Sequence, residues 1–204
     1  LTRLIAGAVQ QVLMAGRKPK RASFITIFHE SSASRVLTAR MIERLSELGE
    51  SINVMHDRTE WKPIAGVDSR SRLEQGRPRS REDVRRQINE WVDSTRIIFD
   101  VDASLDPTNA SILLEFSEQV LWCCDPARTD LSIDRLRAMQ SRAPGWRDKI
   151  SLVWILGSES WCSPHDAGLH ELASREFKLS FAQRRPNQGR QLVDGFERLV
   201  HHLR

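Results

Sequence analysis

The chain has 204 residues, of which 40% are hydrophobic and 28% are charged, with a formal net charge of +4 at pH 7. This balance is typical of a globular domain and excludes a disordered chain. The longest apolar run is only strand-sized, whereas about 18 residues are needed to span a bilayer, so no transmembrane helix is expected.

The first 21 residues are predicted to form a connector. Leu1 to Ala15 place apolar residues at helical spacing, and the basic stretch Arg17 to Arg21 contains Pro19, which cannot continue a helix. The chain begins with leucine and lacks a secretory signal pattern, which favours a fragment of a longer protein. We expect a single domain over residues 22–204.

From Ser23 onwards, strand-length apolar runs alternate with helical periodicity. The predicted strands are Ser23–Phe28, Ile52–Met55, Arg96–Asp100, Val120–Cys124, Ile150–Leu156 and a weak one at Phe177–Phe181. The predicted helices carry Val36 to Leu48, Val84 to Val92, Pro107 to Leu114 and Ile133 to Met139, followed by Asp166–Ser174 and Gly189–Leu203. Between Met55 and Ser80 we expect a long surface loop.

The inner strands are continuously apolar rather than alternating, which is typical of a parallel sheet covered on both faces. The sequence therefore predicts an α/β fold with three layers, a doubly wound, mostly parallel, Rossmann-like sheet. Cys123, Cys124 and Cys162 form no disulfide framework, which favours reduced thiols and a cytoplasmic location. Peripheral contact with the inner membrane face stays open.

In such sheets ligands bind beyond the carboxyl ends of the strands, so the turn after the first strand is the first candidate site. A phosphate-binding turn needs glycines and a lysine, and residues 28–35 contain neither. The start of the following helix could still bind an anion weakly. The weak candidates for a nucleotide or anion are Ser31, Ser32, Ser34 and Arg35. A capped turn without a ligand is the favoured interpretation.

The third predicted strand runs into Asp100 and Asp102, which resembles a Walker B strand whose aspartate holds Mg²⁺. Acidic residues also commonly end strands, and that interpretation is favoured here. Cys162 and His165 form only one weak pair of zinc ligands, so neither a metal nor a cofactor is predicted. No Gly-x-Ser-x-Gly or His-Glu-x-x-His pattern occurs, and we expect no catalytic residues in this chain.

Seven arginines lie between Arg70 and Arg86. They could contact the phosphates of anionic lipid or nucleic acid. Glu74, Glu82 and Asp83 dilute the charge and no aromatic residue is present for stacking, so a solvated loop is favoured and nucleic acid is not the expected partner. The six tryptophans fall mostly in predicted strands or on apolar helix faces, which favours core positions.

Four stretches of the sequence carry a resemblance to a known family: Ile97–Asp102, Val120–Pro126, Ser160–His165 and the closing segment Gly189–Arg204. They resemble the region between the cyclic-nucleotide-binding and patatin domains of bacterial neuropathy target esterase-like phospholipases. The resemblance implies a regulatory or spacer domain of a serine esterase, whose catalytic dyad lies outside this chain. It implies the flanking domains as partners, and a homodimer stays open.

The same residues resemble a degenerate relative of the MinD/ParA class of P-loop ATPases. This resemblance implies the topology of that class without a functional P-loop. A divergent ATPase using Ser31 to Arg35 and Asp100 is the alternative function.

Overall fold

The computed structural model describes residues 23–56, 68–72, 80–89, 91, 95–140, 145–156, 167–180 and 189–204. The strands are β1 (Ser23–His29), β2 (Ile52–His56), β3 (Asp68–Arg72), β4 (Arg96–Asp102), β5 (Gln119–Cys124), β6 (Ile150–Leu156) and β7 (Arg175–Ser180). The helices are α1 (Val36–Glu47), α2 (Arg81–Asn89), α3 (Pro107–Phe116), α4 (Thr129–Gln140), α5 (Ala167–His170) and α6 (Gly189–Leu203). Short 3₁₀ helices occur at Ser32–Arg35, Pro126–Arg128 and Trp146–Lys149.

The seven strands form one sheet in the order β3-β2-β4-β1-β5-β6-β7, and every neighbouring pair is parallel. From β1 the chain first passes to β2 and β3, which lie on one side of β1 in the strand order. It then returns through β4 and continues to β5, β6 and β7 on the other side of β1. This is the doubly wound arrangement that the sequence predicted, and the fold class is confirmed.

The sheet separates two hydrophobic clusters, as expected for strands buried on both faces. One face packs against α1 and α6 through residues such as Ile25, Leu37 and Leu199. The other face packs against α2, α3, α4 and α5, with Phe28 and Leu136 among its core. Alternate residues of a strand point to opposite faces, so the face of each functional side chain follows from its position.

Local sequence explains where individual helices begin. Asp106 precedes α3, its carboxylate accepts hydrogen bonds from the backbone N–H groups of Thr108 and Asn109, and Pro107 occupies the first turn. This is the N-cap and proline arrangement that the sequence predicted. Gly49 follows α1 with a φ of 82°, a conformation that costs glycine little, and so ends that helix.

Three predictions about elements were wrong in detail. The segment between Met55 and Ser80 was predicted to be loop throughout, but β3 lies within it and pairs with β2. The sequence of β3, Asp-Ser-Arg-Ser-Arg, contains no apolar residue and therefore gives no hydrophobic signal. As an edge strand it is held to the sheet by backbone hydrogen bonds. Helix α5 is shorter than predicted, and β7 begins at Arg175 rather than Phe177.

Several predictions concern residues outside the described part of the chain. They are the connector of residues 1–21, the potential zinc ligands Cys162 and His165, Trp61, Trp161 and much of the arginine-rich stretch. Among the described helices, none has the length and apolar character required to cross a membrane.

Candidate functional site

The candidate site lies at the carboxyl edge of the sheet, where β1 and β4 are neighbours near its centre. The direction of the chain's connections changes around these strands, which is where open α/β sheets form a ligand crevice. In the register of the sheet, His29 at the end of β1 is opposite Asp102 of β4. Asp100 lies opposite His56 at the end of β2.

His29 lies in the centre of this edge and is fully buried. Like Ile25 and Ile27, it points to the face covered by α1. Its Nδ1 is 2.9 Å from the hydroxyl of Ser34. Its Nε2 is 3.0 Å from the hydroxyl of Thr38 and 3.1 Å from Oδ1 of Asp100. The imidazole therefore ties the turn, the first helix and β4 together.

Arg35 extends from the turn to both aspartates of β4. Its Nη1 is 3.6 Å from Oδ1 of Asp100, which is fully buried, and its Nη2 donates to Oδ2 of Asp102 over 3.2 Å. Only 18% of the Arg35 side chain is exposed. The guanidinium thus supplies positive charge to both carboxylates, and the structure brings together three of the predicted site residues.

The pKa of Asp102 reflects this arrangement. Partial burial by itself raises the pKa of the carboxyl, but hydrogen bonds from Ser104 and the charge of Arg35 together outweigh it and lower the pKa below 3.8. The backbone N–H of Ser104 donates to Oδ1 of Asp102 over 2.7 Å. Asp102 is therefore held ionised by protein groups.

The three predicted serines have different surroundings. Ser34 is buried, and its hydroxyl donates to the backbone carbonyl of Ser31 over 2.7 Å while also contacting His29. Ser31 is half-buried and Ser32 is exposed. Only Ser34 belongs to the network, and its hydroxyl is already engaged there.

Glu30 takes part in a second network on the opposite face of the sheet. Its Oε1 accepts the indole N–H of Trp122 over 2.8 Å and the hydroxyl of Ser132, and its Oε2 accepts the backbone N–H of Asp125 over 2.9 Å. Glu30 as a whole residue is only 8% exposed. The sequence analysis did not identify this role of Glu30, which only the pairing of β1 with β5 brings about.

The two cysteines next to this network are buried, and their thiols are held in the protonated form. Burial raises the pKa of the Cys123 thiol well above 9.0, and the charges of Asp100 and Glu30 raise it further. Cys123 and Cys124 both lie in the hydrophobic core. A core position is confirmed for the described tryptophans, which are Trp91, Trp122, Trp146 and Trp154. The described residues include no group of three or more potential metal ligands.

Solved structures with a similar fold include a ParA family ATPase and two plasmid partition proteins. The ParA family ATPase from Chlorobium tepidum TLS has a TM-score of 0.58 and 12% identity, over 90% of this chain and 100% of that chain. A plasmid partition protein from Borrelia burgdorferi has a TM-score of 0.52 and 10% identity, over 88% of this chain and 97% of its own.

A putative plasmid partition protein from Borrelia burgdorferi B31, bound to AMPPNP, has a TM-score of 0.52 and 12% identity, over 90% of this chain and 98% of its own. These similarities confirm the fold that the resemblance to the MinD/ParA class implied. No family profile matches the sequence. No curated protein matches it either.

The residues at the crevice do not fit a magnesium-bound nucleotide. A phosphate turn presents glycine N–H groups and a lysine to the phosphates, and this turn has neither. The carboxylate that would hold Mg²⁺, Asp100, is buried against His29 and Arg35. Arg35 is itself engaged by Asp102. A nucleotide would have to break these contacts before it could bind.

Proposed function

We propose that this chain is a non-catalytic domain with a ParA-type fold, which positions or couples its neighbouring domains and does not hydrolyse nucleotide. The observation that carries the proposal is Arg35, whose guanidinium is held between Asp100 and Asp102. Its charge replaces, within the chain, the positive charge that a magnesium ion would bring to such carboxylates.

The energetics of the network support a structural role. Removing a partner from a buried ion pair costs about 3 to 5 kcal/mol, because the remaining charge loses its compensation. His29, Asp100 and Thr38 are fully buried, and Ser34 is nearly so. A ligand that opened this network would therefore lose much of its own binding free energy to the broken contacts. A turn that gains stability in this way suits a rigid spacer better than a nucleotide switch.

For the intact protein, we propose the patatin-like phospholipase arrangement, with a cyclic-nucleotide-binding module before this domain and a patatin domain after it. The support is the resemblance of four stretches of the sequence, including Gly189–Arg204. Reading the gene on both sides of this segment tests it. A Gly-x-Ser-x-Gly elbow encoded after Arg204 is expected, and a different downstream domain would contradict the arrangement.

Nucleotide binding is tested by thermal unfolding with and without Mg-ATP. A ligand that binds only the folded state raises the unfolding temperature, and we expect no such rise. A stabilisation that is lost in Asp100→Ala would overturn the non-catalytic proposal. ADP release should be measured in parallel on the same samples.

A divergent ATPase is the second candidate, favoured by the ParA-type fold and by Asp100 and Asp102 at the end of the strand beside β1. Arg35→Ala separates the two candidates. If Arg35 only fills the crevice, the variant exposes both carboxylates and gains Mg²⁺ affinity without gaining ATPase activity. If Arg35 binds phosphate, the variant loses whatever nucleotide affinity the parent chain shows.

A third candidate is anionic-lipid or nucleic-acid binding through Arg70–Arg86. Among its described members, Arg81 forms an ion pair with Glu115, which reduces the charge available to a ligand. Binding through phosphate contacts must weaken steeply with salt, because counterions are released. Affinity that does not change with salt would eliminate this candidate.

A further inference from the structure

A cationic pocket lies at the amino edge of the sheet, on the side away from the candidate site. It has a volume of about 440 Å³ and lies between the start of β7 and the last turns of α6. Its lining residues are Arg175, Glu176, Phe177, Arg198, His201 and His202. Ligand pockets commonly have volumes of about 300 to 1,000 Å³. The cavity is thus large enough for a small phosphorylated group.

Close packing of α6 on β7 forms the pocket. At Gly195 a Cβ would lie 2.6 Å from the backbone oxygen of Lys178, so only glycine lets the helix approach this closely. Arg198 and His202 follow Gly195 by three and seven residues and so share its face of the helix. Arg175 and Phe177 lie on the same face of β7, because alternate strand residues point the same way.

The imidazole of His202 lines the pocket and makes two side-chain contacts there. Its ring stacks on Phe177 with 5.6 Å between centroids, and its Nδ1 contacts a guanidinium nitrogen of Arg175. Its backbone carbonyl accepts a hydrogen bond from the side chain of Gln119 over 3.2 Å. Because a guanidinium can only donate, the ring nitrogen that receives its bond is the acceptor, and the other ring nitrogen can carry the proton and donate.

The positive charge of the pocket is not balanced by the described residues. Neither Arg175 nor Arg198 forms an ion pair with a carboxylate in the described part of the chain. The carboxylate of Glu176 lies 3.4 Å from the ammonium of Lys178, which offsets it. Burial lowers the pKa of His202, and the charge of Arg175 lowers it further. The protein thus holds like charges together around a cavity.

We propose that this pocket binds a phosphate group through the guanidiniums of Arg175 and Arg198, with His202 as an additional donor. Guanidinium groups pair with phosphate through parallel N–H···O bonds, which no lysine reproduces. The proposal does not depend on the function proposed for the whole domain. The competing explanation is that His201, His202 and Arg198 only complement the negative end of the α6 dipole.

The test is a titration of the chain with inorganic phosphate in chloride solutions of matched ionic strength, followed by NMR of the His202 ring. Bound phosphate favours the imidazolium, so the pKa of His202 is expected to rise. The variant Arg175→Gln/Arg198→Gln should weaken phosphate binding by about tenfold or more. The control Arg128→Gln/Arg137→Gln removes two exposed charges elsewhere and should bind phosphate like the parent chain.

Two results would overturn the proposal. One is a His202 resonance that does not respond to phosphate, and the other is equal binding by the pocket variant and its control, which would indicate an adventitious ion only. Circular dichroism of both variants checks that they fold. Mg-ATP stabilisation that is lost in the pocket variant but kept in Asp100→Ala would belong to this pocket and leave the proposed function unaffected.

Vesicles distinguish the two sources of a phosphate group. Sedimentation with phosphatidic acid vesicles that is lost in the pocket variant, with none on pure phosphatidylcholine, would assign the group to a lipid headgroup. Phosphate binding in solution without vesicle binding would assign it to a soluble phosphomonoester. Without a response of His202 to inorganic phosphate, neither assignment applies and the site is rejected.

Discussion

The two edges of the sheet use cationic side chains in opposite ways. At the carboxyl edge, Arg35 is mostly buried and is paired with Asp100 and Asp102. At the amino edge, Arg175 and Arg198 are exposed, surround a cavity and have no carboxylate partner among the described residues. The first edge is satisfied by the chain itself, whereas the second has charge available for a ligand.

A shared fold therefore does not by itself fix where a ligand binds. The carboxyl edge is where α/β sheets of this kind hold their ligands. Here its charges are paired within the chain, whereas the phosphate site that we propose lies at the opposite edge.

The largest effect is expected from Asp100→Ala. The substitution leaves His29 without its nearest carboxylate and removes one of the two acidic contacts of Arg35. Breaking a buried pair from one side should lower the free energy of unfolding by about 3 kcal/mol. Urea unfolding of the variant and the parent chain measures this loss.

The control is Asp130→Ala, which removes an exposed carboxylate from α4 and should change stability by less than about 0.5 kcal/mol. A double-mutant cycle with His29→Ala then isolates the coupling between His29 and Asp100. If Asp100→Ala and Asp130→Ala lowered the free energy of unfolding equally, the contacts of Asp100 at the carboxyl edge would not stabilise the fold. Phosphate binding at the amino edge should be unchanged in both variants.

Much of the fold could be predicted from the sequence, because buried parallel strands are apolar without interruption. Ile97 to Phe99 and Leu152 to Ile155 show this pattern directly. Strand β3 could not be predicted in this way, because its residues are polar and backbone pairing holds it to β2. The end of the apolar run in β4 was visible from Asp100 and Asp102, and both aspartates do lie at the carboxyl edge of the sheet.

The interactions of the site could be predicted only in part. The missing glycines and lysine of the turn were visible in the sequence, but the contact of Arg35 with β4 joins residues 67 positions apart. The contact of Glu30 with Trp122 spans 92 positions. Such partners follow from strand order, which local patterns do not encode. The amino-edge pocket escaped notice for the same reason, because Arg175 and Arg198 meet only when α6 packs on β7.

A smaller effect, confined to the amino edge, is expected from Gly195→Ala. Alanine favours a helix over glycine by about 1 kcal/mol, so without a steric conflict the variant would be more stable. The added Cβ meets the backbone oxygen of Lys178 at 2.6 Å, and backbone cannot move aside cheaply. Overpacking of this kind costs about 1 to 3 kcal/mol, and we expect a net loss of about 1 kcal/mol by urea unfolding.

The pocket should also open as α6 moves away, which weakens the phosphate response of His202. Gly145→Ala is the matched control, since its φ of 89° is strained for alanine while its Cβ meets no atom within 4 Å. That control should lose similar stability and keep the phosphate response. A more stable Gly195→Ala with an unaltered His202 signal would contradict the close packing of α6 on β7.

The smallest effect concerns the pH dependence of stability and follows from Arg175→Gln. The pKa of His202 is lowered from 6.5, so between 6.5 and its folded-state value the unfolded chain binds the proton and the folded chain does not. Stability therefore falls as the pH drops below 6.5. Burial, the larger cause, remains in the variant, but the charge of Arg175 is gone. The pKa of His202 should therefore rise part of the way, and the fall in stability should become shallower.

NMR titration of the His202 ring in chloride measures the pKa, and Arg137→Gln should leave it unchanged. An unchanged pKa in Arg175→Gln would mean that the guanidinium does not act on the imidazole, and the amino edge would then lack the concentrated charge that distinguishes it from the carboxyl edge.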